Sequence, residues 1–169
     1  VLMSPLSFLQ KPLRWLQAIS TYQGSYSSAP NFAYDLCVKR ISEDEKATLN
    51  LDSWLFTLNG AEPIRAETQA AFAAAFASCG FRASAFFPAY GLAEATVFVS
   101  GGPATQGTRT LWVKANALAQ GTAERVTDED IASSQIQLVS VGQVWGSTEL
   151  RIVDPENSRV LPEGQVGEI

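Results

Sequence analysis

The chain has 169 residues, 46% hydrophobic and 17% charged, an ordinary globular balance with enough length for one packed core. Its net charge of −5 and the lack of a basic stripe argue against a nucleic-acid surface, and the absence of histidine removes Ser-His-Asp triads, Cys-His pairs and most zinc sites. No apolar run reaches the ~20 residues that span a bilayer and no charged leader opens the chain, so a cytoplasmic location is expected.

Val1, Leu2, Met3 and Ser4 read as the interior of a strand, and at the other end Gln165-Val166-Gly167-Glu168-Ile169 reads as an alternating strand just begun. Neither resembles a polar, frayed terminus, so the sequence predicts an internal fragment of a longer protein. Pro12 is placed to begin a helix whose buried face is Trp15, Ala18, Ile19 and Tyr22. After the Gln23-Gly24 turn, Tyr26-Ser27 is a short strand. Pro30 opens a second helix with the stripe Ala33, Leu36, Cys37 and Ile41. Residues 42–50, with Glu43, Asp44, Glu45 and Lys46, form a solvated loop or helical turn. Residues 54–58 are uniformly apolar, as in a strand covered on both faces. The helix after Pro63 carries Ile64, Thr68, Ala71, Phe72, Ala75 and Phe76 on one side and ends at Gly80. Cys37 and Cys79 fall inside helical patterns, which predicts reduced, buried thiols.

This alternation through Val99 predicts an α/β fold with a largely parallel sheet layered with helices, occupying residues 1–100. From Gly101-Gly102-Pro103 the character changes. A strand over 108–113, a short helix over 115–120 and an acidic loop over 127–130 make residues 101–137 too long for an ordinary connection, so an insertion is expected there. Strands over 138–141 and 148–154, then a turn at Asp154-Pro155-Glu156-Asn157, predict that 138–169 begins a small β-barrel-like subdomain.

Two strand-end segments carry the chemistry. Asn59-Gly60-Ala61-Glu62-Pro63 follows the strand at 54–58, and Tyr90-Gly91-Leu92-Ala93-Glu94-Ala95-Thr96 follows the apolar run at 85–89. Loops of this kind lie side by side at the carboxyl edge of an open sheet, where α/β folds bind ligands. A ring and a carboxylate four residues apart suit a base and a phosphate-bound cation. With Ala29-Pro30-Asn31-Phe32-Ala33-Tyr34-Asp35-Leu36-Cys37, the two motifs resemble the fatty acyl-AMP ligases of the adenylate-forming superfamily, and the resemblance runs the length of the chain.

The resemblance implies an enzyme that activates a fatty acid with ATP and Mg²⁺ to an acyl-adenylate, releasing pyrophosphate, and passes the acyl group to an acyl carrier protein. By it, Tyr90 stacks on adenine, with Gly91, Leu92 and Ala93 beside the nucleotide. Asn59, Gly60, Ala61 and Glu62 border the base, and Glu94 is the catalytic, Mg²⁺-binding carboxylate. Asn31, Phe32, Ala33 and Tyr34, with Leu92, form the acyl-tunnel wall. Glu62 also fits as a cap on the helix that Pro63 opens, and Phe32 and Tyr34 also fit as core aromatics. Ala93 stands where many adenylate-forming enzymes have Thr, a departure shared by fatty acyl-AMP ligases. The insertion at 101–137 resembles one that acyl-CoA ligases lack. The family's phosphate loop, ribose-binding Asp and mobile-domain Lys have no counterpart here; the serines at 25, 27 and 28 lack the accompanying glycines and lysine. These residues alone are therefore expected to be inactive. A piece of an acyl-CoA ligase and a non-catalytic α/β module are the alternative readings.

Overall fold

The computed structural model describes residues 2–127 and 134–169. The first half alternates: α1 (Pro5–Gln10), α2 (Leu13–Tyr22), β1 (Tyr26–Ala29), α3 (Asn31–Arg40), α4 (Glu43–Lys46), β2 (Phe56–Asn59), α5 (Ala66–Phe76) and β3 (Phe86–Tyr90). The second half holds β4 (Ser100–Gly101), β5 (Thr110–Lys114), α6 (Ala115–Ala119), β6 (Gln135–Val139) and β7 (Gln143–Val144). β1, β2 and β3 pair in parallel, and β4 and β7 extend the same sheet antiparallel, in the order β1-β2-β3-β4-β7. The α/β class with a largely parallel, helix-layered sheet is thus as expected.

The core lies between this sheet and helices α2, α3 and α5. Leu16, Tyr34, Cys37, Trp54, Phe72 and Phe86 are buried there. Phe72 is its centre, with ring contacts to Tyr34, Trp54, Phe76, Phe81 and Phe86. The polar ends of its rings are satisfied. Tyr34 Oη shares a 2.8 Å hydrogen bond with Thr57 Oγ1, Trp15 Nε1 donates to Ser27 Oγ at 2.9 Å, and Trp54 Nε1 donates to the Phe56 carbonyl at 3.2 Å. Cys37 and Cys79 are free and buried, and burial pushes the Cys37 thiol up to about 12.

Several element boundaries differ from expectation. Residues 2–4 form no strand; Leu2 is fully exposed, and Pro5 instead begins α1 in the favoured first turn. Val1 lies outside the described residues. Tyr22 is exposed, because Leu13, Leu16 and Ile19 supply the buried face and Gln23 ends the helix in the left-handed region at φ 50°. The second strand begins at Phe56, since Leu55 and Phe56 both donate to the Ser25 carbonyl. Its burial alternates: Thr57 and Asn59 face the core, while Phe56 and Leu58 are only partly covered, so helices cover one face among the described residues. α5 starts at Ala66, and its buried face includes Gln69 while Ala71 faces solvent. A 3₁₀ turn over Ala77–Cys79 intervenes before Gly80, whose φ of 88° closes the helix.

β5 and β6 make a separate two-stranded antiparallel sheet over residues 110–139, so the expected boundary at 137 falls within β6. The strand expected at 138–141 is this β6. Of the acidic loop, only Thr127 is described. The expected strand at 148–154 is absent, and only Val153 bridges, to Val160 and Glu168. The turn at 154–157 is present: Ser158 N donates to the Asp154 carbonyl at 2.8 Å, and Asp154 Oδ1 accepts from Glu156 N at 2.8 Å. This hairpin touches the β5–β6 unit, where Val166 N donates to the Gly121 carbonyl at 2.8 Å.

Candidate nucleotide and acyl site

Parallel pairing brings the carboxyl ends of β1, β2 and β3 to one edge, with Ala29 beside Asn59 and Asn59 beside Pro88. The two motif loops leave from that edge and meet. Gly60 passes so close to β3 that a methyl group on it would lie 2.8 Å from the Ala89 carbonyl oxygen. Gly91 is tighter still, since such a methyl would run into the Val97 carbonyl oxygen. Only glycine permits that approach. Val97 N donates to the Leu92 carbonyl and Val99 N to the Tyr90 carbonyl, both at 3.0 Å, folding residues 90–99 into a tight return. Thr96 and Val97 at its apex have φ of 53° and 78°, sparsely populated values for β-branched residues.

Between the loops lies a cavity of about 280 Å³ whose lining includes Ala29, Pro30, Gly60, Ala61, Tyr90 and Phe98. A second cavity of about 410 Å³, lined by Phe8, Trp15, Phe32 and Ala33 among others, shares Ser28, Ala29 and Pro30 with it. The two are adjacent, one beside the motif loops and one with an aromatic wall.

The expected site residues separate accordingly. Gly60, Ala61, Tyr90 and Gly91 line the first cavity, and Phe32 and Ala33 the second. Asn59 is fully buried; its side chain donates to the Ala29 carbonyl at 3.1 Å and accepts from Gln69. Asn31 is buried and braces the first loop, its Nδ2 donating to the Pro63 carbonyl at 2.8 Å and its Oδ1 accepting from Arg65 N at 3.2 Å. Tyr34 points into the core. Glu62 does not cap α5, because its Oε1 accepts from Phe32 N at 3.3 Å, in the first turn of α3. A carboxylate does sit at a helix N-terminus, but of the neighbouring helix. Leu92, Ala93 and Glu94 lie on or beside the turn Ala93–Ala95 and do not line the first cavity.

Glu94 is exposed and makes no hydrogen bond or ion pair among the described residues. No group of three or more His, Cys, Asp or Glu gathers as a metal cage among them. One free carboxylate fits Mg²⁺, which is commonly held by one or two carboxylates plus substrate phosphates.

The sequence reading missed Ser28, Pro30, Val97 and Phe98 as cavity residues. Pro30 carried a signal, since a proline directly after a strand end and opening a helix marks the carboxyl edge of the sheet. Val97 and Phe98 carried none, because their placement depends on the left-handed turn.

A largely parallel sheet with helices on it and a cavity at the strands' carboxyl ends defines an α/β ligand-binding domain of the open-sheet class. The chain belongs to the AMP-binding enzyme family, whose model matches residues 1–169. It is 42% identical over 167 residues to a medium-chain-fatty-acid–[acyl-carrier-protein] ligase of Moorena producens, covering 99% of this chain and 28% of that protein. It is 41% identical over 169 residues to a 4-hydroxyphenylalkanoate adenylyltransferase of Mycobacterium marinum, covering 100% of this chain and 27% of that one. The crystal structure of a fatty acyl-adenylate ligase from L. pneumophila, in complex with acyl adenylate and pyrophosphate, superposes with a TM-score of 0.90 at 44% identity. That match covers 98% of this chain and 28% of the other. The chain thus spans little more than a quarter of the length of these relatives. Among the described residues, no helix is long and apolar enough to cross a membrane.

Proposed function

We propose that these residues serve a fatty acyl-AMP ligase, which joins a fatty acid to AMP and delivers the acyl group to an acyl carrier protein. The observation that carries the reading is the pair of adjoining cavities at the sheet's carboxyl edge, one between the two motif loops and one walled by Phe8, Trp15 and Phe32. The names of the relatives support the same assignment.

In the proposed reaction a carboxylate oxygen of the acid bonds to the α-phosphorus of ATP. The bond from that phosphorus to the bridging oxygen breaks, and pyrophosphate leaves with the electron pair. No histidine base is needed, because the acid is already ionised at neutral pH. The protein's share is positioning and charge stabilisation. Tyr90 offers its ring to the adenine, the Gly60-Ala61 backbone borders it, and Phe32 and Ala33 line the acyl path beyond Ala29. Glu94 would hold Mg²⁺, which when bound neutralises charge on the phosphates. The unit at 110–139 is proposed to be the insertion that distinguishes these ligases from acyl-CoA ligases.

Glu94→Gln in the complete ligase tests the reading: pyrophosphate release should fall ~10²-fold or more at limiting Mg²⁺. Unchanged release would make Glu94 a solvated turn residue. Running the assay with medium-chain, long-chain and 4-hydroxyphenylalkanoic acids assigns the acid, the last being included because of the mycobacterial relative.

A further inference from the structure

A line of side-chain hydrogen bonds crosses the interior from the segment after β4 to the floor of both cavities. Thr108 Oγ1 donates to Gln69 Oε1, Gln69 Nε2 donates to Asn59 Oδ1 at 2.8 Å, and Asn59 Nδ2 donates to the Ala29 carbonyl at 3.1 Å. Gln69 is 4% exposed and Asn59 0%. Both amides are oriented by the line itself: the last acceptor is a carbonyl, so each amide nitrogen faces Ala29 and each amide oxygen faces Thr108. A buried amide left unpaired is costly, so the line holds as a unit or not at all.

Its two ends give it meaning. Ala29 lines both cavities, and Asn59 immediately precedes Gly60 and Ala61, which line the first. Gly60 abuts the Ala89 carbonyl oxygen, so the loop has no slack in which to absorb a shift of Asn59. At the other end, Thr108 lies two residues before β5, on the segment that leads into the 110–139 unit.

We propose that Gln69 is a positioning residue for the nucleotide loop: through Asn59 it fixes Gly60 and Ala61 against Ala29, and through Thr108 it makes that placement depend on the segment leading to β5. The function assigned to it rests on the ligase reading above. Gln69 touches no reactant and acts wholly through Asn59.

The test uses the complete ligase with Thr108→Val, which keeps the shape and removes the hydroxyl, and Thr108→Ser, which restores it. Loss of one buried hydrogen bond scales to ~3- to 10-fold. Thr108→Val should raise KM for ATP by that factor, leave KM for the fatty acid unchanged, lower the Tm modestly because Gln69 Oε1 loses its donor, and speed hydrogen exchange at the Gly60 and Ala61 amides. Thr108→Ser should return all of these to the parent values. Gln69→Leu should show the same pattern more strongly, and if it fails to fold, the Thr108 pair decides alone. A KM for ATP within 2-fold of the parent, or a rise matched by the fatty-acid KM, overturns the proposal. If the parent enzyme makes no acyl-adenylate, the ligase reading fails by itself. The exchange rates at Gly60 and Ala61 then judge the positioning role, and unchanged rates in Thr108→Val reject it.

Discussion

Gly91 and Gly102 are near each other in sequence and opposite in constraint. A methyl group on Gly91 would run into the Val97 carbonyl, whereas one on Gly102 would meet nothing within 4 Å. Gly91→Ala should therefore destabilise the 90–99 return by ~1–3 kcal/mol, as overpacking does, and depress pyrophosphate release; Gly102→Ala should do neither. Thermal unfolding and a release assay on the two variants check this, and equal effects would contradict it. Tyr34 and Phe32, two residues apart on α3, separate core from cavity in the same way. Tyr34→Phe strands the buried Thr57 hydroxyl, which costs ~1–3 kcal/mol of stability, and KM for the acid should not move. Phe32 is half exposed on the second cavity. Phe32→Ala should raise that KM while leaving the urea midpoint nearly in place. The opposite assignment of effects would put the acyl path on the core side of α3.

At the scale of elements, α5 carries the ring at the centre of the aromatic core. Phe72→Ala should cost ~3–5 kcal/mol by denaturant unfolding, while Ala71→Ser, on the exposed side, should cost under ~0.5. Helix positions were legible in the sequence wherever period and punctuation agreed: Pro30 precedes α3 as expected, and Gly80 closes the 3₁₀ turn that prolongs α5. What misled was residue type standing in for burial. Tyr22 and Ala71 match an apolar stripe yet face solvent, because the buried faces are centred on Leu13, Leu16 and Ile19 in α2 and on Thr68, Gln69, Phe72 and Phe76 in α5. Trp54 and Leu55 look like strand residues. They precede β2 because the Ser25 carbonyl takes two amides there, a tertiary arrangement without local signature. Both loops at the sheet edge were legible, since glycine after a strand end announces a close approach. The inward turn of Asn59 and the bracing role of Asn31 were not. Each depends on a partner about 30 residues away in sequence or a helical turn into α5.

For the molecule as a whole, buried thiols set a pH limit. Unfolded cysteine titrates near ~8.5, whereas burial holds Cys37 up to about 12 and raises Cys79 as well. The folded state thus keeps protons that the unfolded state releases. Its stability is full below ~8.5 and is lost as pH rises toward 12, by up to ~1.4 kcal/mol per unit for Cys37. Urea midpoints taken at pH 7, 9 and 10 should fall across the last two, and Cys37→Ala should flatten the decline; a level profile in the parent would refute it. Replacing residues 110–139 by a short Gly-Ser link between Arg109 and Ser140 is expected to leave acyl-adenylate formation intact and to let acyl-CoA appear. Product analysis with and without CoA decides, and loss of adenylate with no acyl-CoA would mark the unit as structural. That replacement is practicable because the chain leaves and returns at a single point, where Ser140 N donates to the Arg109 carbonyl at 2.9 Å. Closing a loop grows dearer by only ~0.6 kcal/mol for each doubling of its length. The gap between these two residues is therefore a slot in which segments of very different length exchange at almost no cost to the sheet beneath, and length variation among complete ligases should concentrate there.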